Sequence, residues 1–285
     1  MALLSALRDL GLRNLAICHL DHSLRGRESR ADARFVARAA TALGLGLESA
    51  RARTSDYASK AAKSVELAAR DLRYAFFEQC AARQKCSRLI LAHHADDQIE
   101  TCLHHFLRGS GAAGLAGMRP VSRRGKLEVI RPLLGVTRDE INTYIAENRI
   151  AFREDATNTD TTHTRNRIRH SVIPAIREAY GNTFHNAILR ASEILRMEDD
   201  WIEAHVPEVS RELACADLRA MAPAILHRTV LRWLRQNHVP EPGLLETRRV
   251  LSLLDVENGP AKVSLPGNFH ARRREGLIFL GSETS

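Results

Sequence analysis

RLILAHHADDQIETCLHHFL, residues 88–107, runs from an apolar segment directly into a dense group of acids and histidines. Arg88–Ala92 predicts a short buried strand, and Asp96–Leu107 has the apolar spacing of a helix, with Asp96 as a candidate N-cap. Asp97 and Glu100 are three residues apart and therefore share one helical face. Carboxylates beside a strand end can hold Mg²⁺ against phosphates or bind an ammonium group. Acids that only complement the helix dipole are the simpler alternative, but they leave His93 and His94 unexplained.

A second polar group follows an apolar run nearer the N-terminus. LAICHL, Leu15–Leu20, predicts another buried strand, and HLDHSLR, residues 19–25, places His19, Asp21 and His22 at its end. Open α/β sheets bind ligands at the carboxyl ends of their strands, so these side chains are candidate ligand contacts. A polar strand–helix loop with a half-buried His19 is the alternative.

Helical and strand-like segments alternate over residues 1 to about 150, which predicts crossover connections and an α/β fold with a parallel, Rossmann-like sheet. Residues 152–170 are predicted to be a polar functional loop, and residues 182–258 to be wholly helical. The tail predicts two or three short strands with a turn at Pro266-Gly267. We therefore predict three parts: a catalytic α/β domain over residues 1–180, a helical region over 181–258 and a small β-rich segment over 259–285. The other predicted helices are Met1–Leu10, Glu28–Leu43, Val65–Arg83, Thr137–Asn148, Ser171–Tyr180, Asn186–Ala204, Met221–Asn237 and Leu244–Leu254, and the other strands are Leu47–Ala52 and Leu127–Ile130.

Arginines supply three further candidate features. Arg70 and Arg73 share a helical face and could grip a triphosphate, although Arg70 could also form a surface ion pair with Glu66. Arg108 opens the small-residue run RGSGAAGLAGM, residues 108–118, whose glycines favour either close approach to a ligand or backbone flexibility. Arg165, Asn166 and Arg169 belong to a basic cluster that suits a phosphate backbone or, alternatively, a solvated surface.

Composition narrows the protein class. The net charge is +8, from 42 Lys and Arg against 34 Asp and Glu, which is compatible with a nucleic-acid partner. The 5 cysteines contain no C-x-x-C pair, which argues against a disulfide framework and a thiolate metal site. No apolar segment has the length of a membrane span, and the start lacks the basic residues of a secretory signal, so we expect a cytoplasmic protein without a membrane partner.

Five sequence runs, taken together, identify a resemblance. They are HLDHSLR, ARDLRYAFF, LAHHADDQIETCLHHFLRGSGAAGLAGM, RPLL at Arg131–Leu134, and EDATNTD followed by RNRIRHSVIP. Their order and spacing resemble those of the tRNA(Ile)-lysidine synthetases, closely over residues 1–200 and loosely to the end, where LPGNFHARRREGLIFL resembles the small domain of that family. The resemblance implies an adenine nucleotide α-hydrolase-like fold and a two-step reaction. ATP, with Mg²⁺, adenylates the wobble cytidine of a CAU anticodon, and the ε-amine of free L-lysine then displaces AMP to form lysidine.

The resemblance also implies roles for individual residues. Asp97 and Glu100 would handle lysine or the metal, with Asp97 as the metal ligand, and His93 and Arg70 would complete the catalytic group. The nucleotide contacts would be His19, Asp21, His22, Arg73 and Asp96. The tRNA contacts would be Arg108, Arg165, Asn166 and Arg169. The sequence leaves a homodimer open as an assembly.

One departure from the family concerns the N-terminus. The family begins with a Ser-Gly-Gly-x-Asp-Ser loop that binds pyrophosphate and continues as Met-Ala-Leu-Leu, whereas this sequence starts at Met1-Ala-Leu-Leu. We expect a start codon assigned too late or a truncation, little activity if the chain truly starts there, and a further C-terminal domain in longer members.

Three rival functions stay open at this stage. A metal-dependent phosphohydrolase would use the histidine and aspartate pairs as metal ligands. A tRNA thiolase of the same superfamily would generally need the C-x-x-C cysteines that are absent here. A non-catalytic tRNA-binding remnant is the third.

Overall fold

The computed structural model describes residues 1–24, 26–153 and 164–282. The chain forms two compact units, Met1–Ser192 and Glu193–Ser285. The structure divides the chain once, between Ser192 and Glu193, whereas the sequence analysis placed boundaries near residues 180 and 258. The three-part domain scheme stays a prediction. None of the helices described is long and apolar enough to cross a membrane.

The first sheet of unit 1 is a parallel pair. Strand β1 (Ala16–Asp21) pairs with β2 (Gly46–Arg51) from Ala16↔Gly46 to Asp21↔Arg51. Helix α1 (Ala2–Asp9) precedes the pair, and helix α2 (Arg27–Leu43) is the crossover. Helix α2 ends at Gly44, whose φ of 63° is the left-handed conformation that glycine adopts without a steric penalty. The parallel register confirms the predicted α/β class.

The second sheet of unit 1 has the order β3-β5-β4. Strand β3 (Arg88–Ile90) is parallel to β5 (Leu127–Ile130), and β4 (Val121–Arg124) is antiparallel to β5. The sequence analysis missed β4, because VSRR has one apolar residue and no clear alternation.

Helix α4 (Val65–Arg83) packs against both sheets. Its Tyr74, Phe76 and Phe77 form a core with Leu127 and Val129 of β5, and residues of β1 and β3 pack on this core. The predicted cap is confirmed, because Ser64 Oγ accepts a hydrogen bond from the Leu67 amide at 3.3 Å. One helix thus supports both strands whose ends carry the candidate site.

The remaining helices of unit 1 complete its layers. They are α3 (Thr54–Lys60), which the sequence analysis missed, α5 (Ala95–Leu107), α6 (Ala112–Leu115), α7 (Arg138–Glu147), α8 (Thr164–Arg167) and α9 (Ile173–Tyr180). A π-helical turn, Ile168–Val172, joins α8 to α9, so helix begins at residue 164 inside the predicted polar loop. Ile99, Ile168, Ile173 and Phe184 form a further core.

Unit 2 combines helices with an antiparallel sheet. Helix α10 (Thr183–His205) begins in unit 1 and ends in unit 2, followed by β6 (Leu213–Ala214), α11 (Cys215–Ala220), α12 (Pro223–Gln236), α13 (Leu244–Ser252), β7 (Lys262–Leu265), β8 (Phe269–Arg274) and β9 (Leu277–Ser282). The sheet order is β6-β9-β8-β7. The prediction of a wholly helical segment over 182–258 was wrong at Leu213–Ala214, because these two residues complete the sheet edge beside β9. The predicted turn after Leu265 is confirmed, with positive φ at Gly267 and Asn268.

Candidate functional site

Three histidines mark the ends of β1 and β3. His19 lies in β1, His22 follows it, and His93 follows β3. Each is half-buried, and each has a buried ring nitrogen without a hydrogen-bond partner among the described residues: Nε2 of His19, Nε2 of His22 and Nδ1 of His93. Buried polar atoms normally have partners, so these nitrogens are suited to a ligand or to ordered water. His19, His22 and His93 therefore lie at strand ends, while their role in a site stays a prediction.

Arginines surround the histidines. Burial lowers the pKa of His93 to about 4; the charge of Asp97 opposes this shift, and those of Arg131, Arg165 and Arg70 add to it. Burial likewise lowers the pKa of His22, with the charge of Arg73 as the next cause. Both shifts favour the neutral imidazole near pH 7, and a neutral imidazole can both accept and donate a hydrogen bond.

Arg73 and Arg165 show that this region is crowded but accessible. The surrounding protein lowers the pKa of Arg73, with further contributions from Arg70 and Arg165, although more than a third of the Arg73 surface is exposed. The Arg73 side chain is therefore reachable from solvent despite its dense surroundings. Arg165 also approaches Glu66, with 3.8 Å between Nε and Oε1. Arg70 lies over the ring of Tyr74, 5.7 Å from its centroid.

Asp97 and Glu100 lie together on α5, as predicted, and both contact Arg169. Glu100 is only 4% exposed, and its Oε1 and Oε2 accept hydrogen bonds from Arg169 Nε at 2.6 Å and Nη2 at 3.0 Å. Asp97 Oδ1 lies 3.5 Å from Arg169 Nη2. The pair is bidentate, the strongest form of carboxylate recognition by arginine. Arg169, predicted to contact tRNA, is thus placed in an ion pair with the two candidate acids.

Asp96 has a structural contact that the sequence analysis did not predict. Its Oδ2 accepts a hydrogen bond from the Arg138 amide at 2.9 Å, at the first turn of α7. His94 Nδ1 lies 3.5 Å from the same oxygen, the distance of an ion pair and too long for a strong hydrogen bond. This contact with His94 holds the pKa of Asp96 at about 2. Burial alone would lower the pKa of His94, but the nearby Asp96 and Asp97 outweigh burial and raise it.

The predicted N-cap of α5 was wrong by two residues. The cap is His94, because the helix begins at Ala95, and the His94 amide donates to Asp97 Oδ2 at 3.0 Å. The first turn therefore uses its third residue, Asp97, to satisfy a free amide of the helix start.

Asp21 and His22 are held by the loop that follows β1. The buried Asp21 accepts a hydrogen bond from the Ser23 amide at 2.7 Å, and its Oδ2 lies 3.6 Å from Arg51 Nε. His22 Nδ1 is 3.1 Å from the hydroxyl of Thr54, which is 1% exposed. The sequence analysis missed Thr54, since its only signal is the start of the unpredicted helix α3.

The small-residue run is fixed to α5. Gln98 Nε2 donates to the carbonyls of Ala116 and Met118, and Gln98 Oε1 accepts from the Met118 amide at 2.7 Å. Cys102 and His105 contact the carbonyls of Leu115 and Gly114. A Cβ at Gly117 would lie 2.6 Å from Gln98. The run therefore packs as a short helix and turn against α5, and neither flexibility nor a ligand cradle is needed to explain its glycines. Arg108 is exposed at the C-terminal end of α5, with His104 nearby.

Arg131 is a buried cation for which the sequence gave no role. It is 8% exposed, and its Nη1 donates to the Arg119 carbonyl at 2.8 Å and to Ser122 Oγ at 3.0 Å. Its Nε is buried and has no hydrogen-bond partner in the part of the chain that the structure describes. Its position in the RPLL run was the only available signal. The charge lies close enough to His93 to lower that pKa.

The donor set fits ATP better than a resident metal. Neutral imidazoles and several guanidinium groups suit a purine and its phosphates. Within the ranges 1–24, 26–153 and 164–282, no group of three His, Cys, Asp or Glu side chains could hold a metal ion. Mg²⁺ commonly binds through one or two carboxylates together with substrate phosphates, so Asp97 suits an ion that arrives with the nucleotide.

Two parts of the predicted site lie outside the described residues: Arg25 and the run 154–163, which contains EDATNTD. Asn166 lies in α8 and is half-buried. Two cavities, of about 300 Å³ and about 550 Å³, are lined by none of the candidate site residues.

Comparison with protein families gives two matches. Residues 1–176 match the PP-loop domain, and residues 213–279 match the TilS substrate binding domain. The β1 and β3 ends, α4, α5 and the residues up to Arg169 all lie in the first match.

Several relatives carry the same name. The chain is 34% identical over 279 residues to a protein of Solibacter usitatus named tRNA(Ile)-lysidine synthase, covering 94% of this chain and 61% of that protein. It is 34% identical to the protein of that name from Bacillus subtilis and 36% identical to that from Symbiobacterium thermophilum, covering 91% and 89% of this chain. The chain spans only 58% and 56% of those two relatives.

A solved structure shares the fold. The U34-tRNA thiolase NcsA from Methanococcus maripaludis superposes with a TM-score of 0.52 at 12% identity, covering 68% of this chain and 67% of that one. At this identity the likeness supports the α/β fold alone.

Proposed function

The chain belongs to the PP-loop domain family, and from this premise we propose that it is the catalytic part of a tRNA(Ile)-lysidine synthase. Its substrates are ATP, free L-lysine and a tRNA with a CAU anticodon. The observation that supports the proposal is half-buried His93, whose charged neighbours are Asp97 and several arginines, on the same segment as the Asp97–Glu100–Arg169 group.

In the first step, the only ring carbonyl oxygen of the wobble cytosine attacks the α-phosphorus of ATP, and the bond from that phosphorus to pyrophosphate breaks. An amide-like oxygen is a poor leaving group, and adenylation converts it into a good one. Negative charge develops on the departing pyrophosphate. Arg70, Arg73 and Arg165 are the side chains that stabilise it, since guanidinium groups pair with phosphate oxygens.

In the second step, the ε-nitrogen of lysine attacks the activated ring carbon, and the bond from that carbon to the AMP oxygen breaks. Free lysine carries an ammonium group at pH 7, so it must lose protons before and during attack. Asp97 binds the ammonium group and accepts a proton. Glu100 pairs with Arg169 and thereby holds the Arg169 guanidinium group next to Asp97.

Mg²⁺ neutralises phosphate charge when it is bound with ATP, and Asp97 is the candidate ligand. Neutral His93, His19 and His22 contact the nucleotide through their free ring nitrogens. Asp21 and Asp96 were predicted as nucleotide contacts. We propose that they position the site instead, Asp21 by its hydrogen bond to the loop after β1 and Asp96 by its hydrogen bond to the start of α7. Arg108 and Asn166 remain proposed tRNA contacts.

The test is lysine-dependent modification of RNA. Radiolabelled lysine, ATP and a CAU-anticodon tRNA transcript are incubated with the 285-residue chain and, separately, with a protein that includes the reading frame upstream of Met1. We expect label in the tRNA that depends on ATP, with a GAU-anticodon transcript as the control. If neither protein transfers lysine, or if transfer proceeds without ATP, the proposal is wrong.

The same proposal implies a cytoplasmic enzyme, since tRNA is modified there. Light scattering would measure whether the chain forms the homodimer that the sequence analysis left open. A metal-dependent phosphohydrolase is not favoured, given the names of the relatives and the donor set described above. A thiolase is disfavoured because the sequence has no C-x-x-C pair.

A further inference from the structure

Arg131 is the one lysine or arginine that is buried in the part of the chain that the structure describes. Its Nη1 donates to the Arg119 carbonyl and to Ser122 Oγ, and both of these partners are neutral. Among the described residues it forms no ion pair with a carboxylate. A buried charge is costly unless a charge of opposite sign compensates it. The guanidinium group of Arg131 therefore lacks the counter-charge that its burial calls for.

The buried acids of the described residues differ from Arg131, because each of them has a cationic neighbour. The pairs are Asp21 with Arg51, Glu100 with Arg169 and Asp199 with Arg228. Hydrogen bonding within the protein does not require a cation at position 131, since a neutral amide could donate to the same carbonyl and hydroxyl oxygens. Folding thus accounts for a donor at this position, but not for its charge.

Arg131 lies at the edge of the sheet where a ligand would bind. The last bond between the parallel strands β3 and β5 runs from the Leu91 amide to the Ile130 carbonyl at 2.9 Å, so Arg131 is the first residue beyond it. Open α/β sheets bind ligands at the carboxyl ends of such strands. His93 follows β3 at the same edge. Burial is the main cause that lowers the pKa of His93 to about 4; Asp97 opposes the shift, and Arg131 has the largest effect among the arginines.

We propose that Arg131 is a fixed counter-charge for the phosphate groups of ATP, in addition to the exposed arginines of the candidate site. The inference rests on the proposed function, which supplies ATP as the ligand. A phosphate chain carries the compensating negative charge that no described carboxylate provides. The two hydrogen bonds of Nη1 hold the guanidinium group in place, so its charge attracts the anion without reorganisation of the protein. The attraction acts through the protein interior, where the effective dielectric constant is lower than in water.

The experiment measures the binding of inorganic tripolyphosphate, ATP and adenosine to the full chain by isothermal titration calorimetry, in a buffer without divalent cations. We expect Arg131→Gln to raise Kd for tripolyphosphate and ATP at least about tenfold and to leave Kd for adenosine unchanged, since only the anions interact with the charge. Arg131→Lys keeps the charge and should retain the wild-type Kd within about twofold. Arg88→Gln, which removes an exposed cation at the opposite end of β3, is the matched control and should bind all three ligands like the wild type.

A second variant tests the charge without removing the arginine. Ser122→Asp places a carboxylate next to Nη1, which lies 3.0 Å from the serine hydroxyl in the wild type. The new ion pair compensates the guanidinium group internally, so we expect Kd for tripolyphosphate to rise about tenfold while the melting temperature stays the same or increases. This variant decides the question if Arg131→Gln does not fold.

Wild-type affinity for tripolyphosphate in Ser122→Asp overturns the proposal, as does a wild-type chain that does not bind tripolyphosphate. An equal loss of adenosine and tripolyphosphate binding in Arg131→Gln also overturns it, because Arg131 would then serve folding alone. Weaker binding of a tRNA transcript with unchanged tripolyphosphate binding overturns it as well, because the charge would then serve RNA. A chain whose phosphate binding depends on Arg131 but that transfers no lysine separates failure of the proposed reaction from failure of this assignment.

Discussion

Asp97, Glu100 and Arg169 form a connected charged group in the candidate site. Asp97→Asn should lower the rate of lysine transfer at least about tenfold, which corresponds to about 1.4 kcal/mol of transition-state stabilisation. Glu100→Gln should have a similar effect and should also hold Arg169 less tightly, because the neutral amide cannot form the bidentate ion pair. Single-turnover kinetics at saturating lysine measures this. Glu147→Gln, an exposed acid on α7, is the matched control, and wild-type rates in both site variants would remove these residues from the chemistry.

His93 gives the protein a pH-dependent stability of defined sign. Its pKa is about 4 when folded and about 6.5 when unfolded, so between these values the unfolded chain binds more protons. Stability should therefore fall as pH decreases from 6.5 to 4. We expect His93→Gln to flatten this decrease, as measured by melting temperature at each pH. A His93→Gln protein with the unchanged pH dependence would show that other groups account for it.

At this scale the sequence predicted which residues share a helical face, but not how they pair. Asp97 and Glu100 lie on one helix, as their spacing indicates, whereas a common site for His19, His22 and His93 stays a prediction. The Glu100–Arg169 pair joins residues 69 positions apart, and no local pattern encodes such a contact. Asp96 looked like a helix cap for its own helix, yet it caps α7, which lies 42 residues further along the chain.

Among the elements, α5 is held by hydrogen bonds and packing to the small-residue run that follows it. Gln98→Leu should destabilise the protein by about 1–3 kcal/mol, because the Met118 amide and two carbonyls lose their buried partner. Gly117→Ala should also destabilise it, since the residue has a φ of +65° and its added Cβ would lie 2.6 Å from Gln98. Urea unfolding provides the free energies. Gly111→Ala, with open space around it, is the control, and equal stability of the two alanine variants would contradict this interpretation.

Element prediction succeeded where periodicity was long and failed where it was short. The nineteen-residue α4 was predicted at its observed bounds, because its cap and apolar spacing agree. Strands β4 and β6, of four and two residues, carry too few side chains to show an alternation, and they form because a neighbouring strand edge is available.

For the whole molecule, the separate cores predict separate unfolding. Each of the three described core clusters lies within one unit. Both tryptophans, the fully buried Trp233 and the exposed Trp201, belong to unit 2, so their fluorescence reports that unit alone. Ile99→Ala should lower the melting temperature seen by far-ultraviolet circular dichroism and leave the tryptophan transition in place. A shift of both transitions by the same amount would show that the units unfold together.

The π-helical turn at Ile168–Val172 sets the rotational phase of the chain on its two sides. A turn with one extra residue is how a helix accommodates an insertion without unwinding. Here it lets Ile168 and Ile173, five positions apart, both enter one core while Arg169 faces Glu100. A relative lacking that one residue would have a regular α-helix. It would lose either one of the two isoleucine contacts with the core or the ion pair between Arg169 and Glu100. Deleting one residue from this π-helical turn would therefore alter the chemistry of the candidate site without replacing any of its side chains.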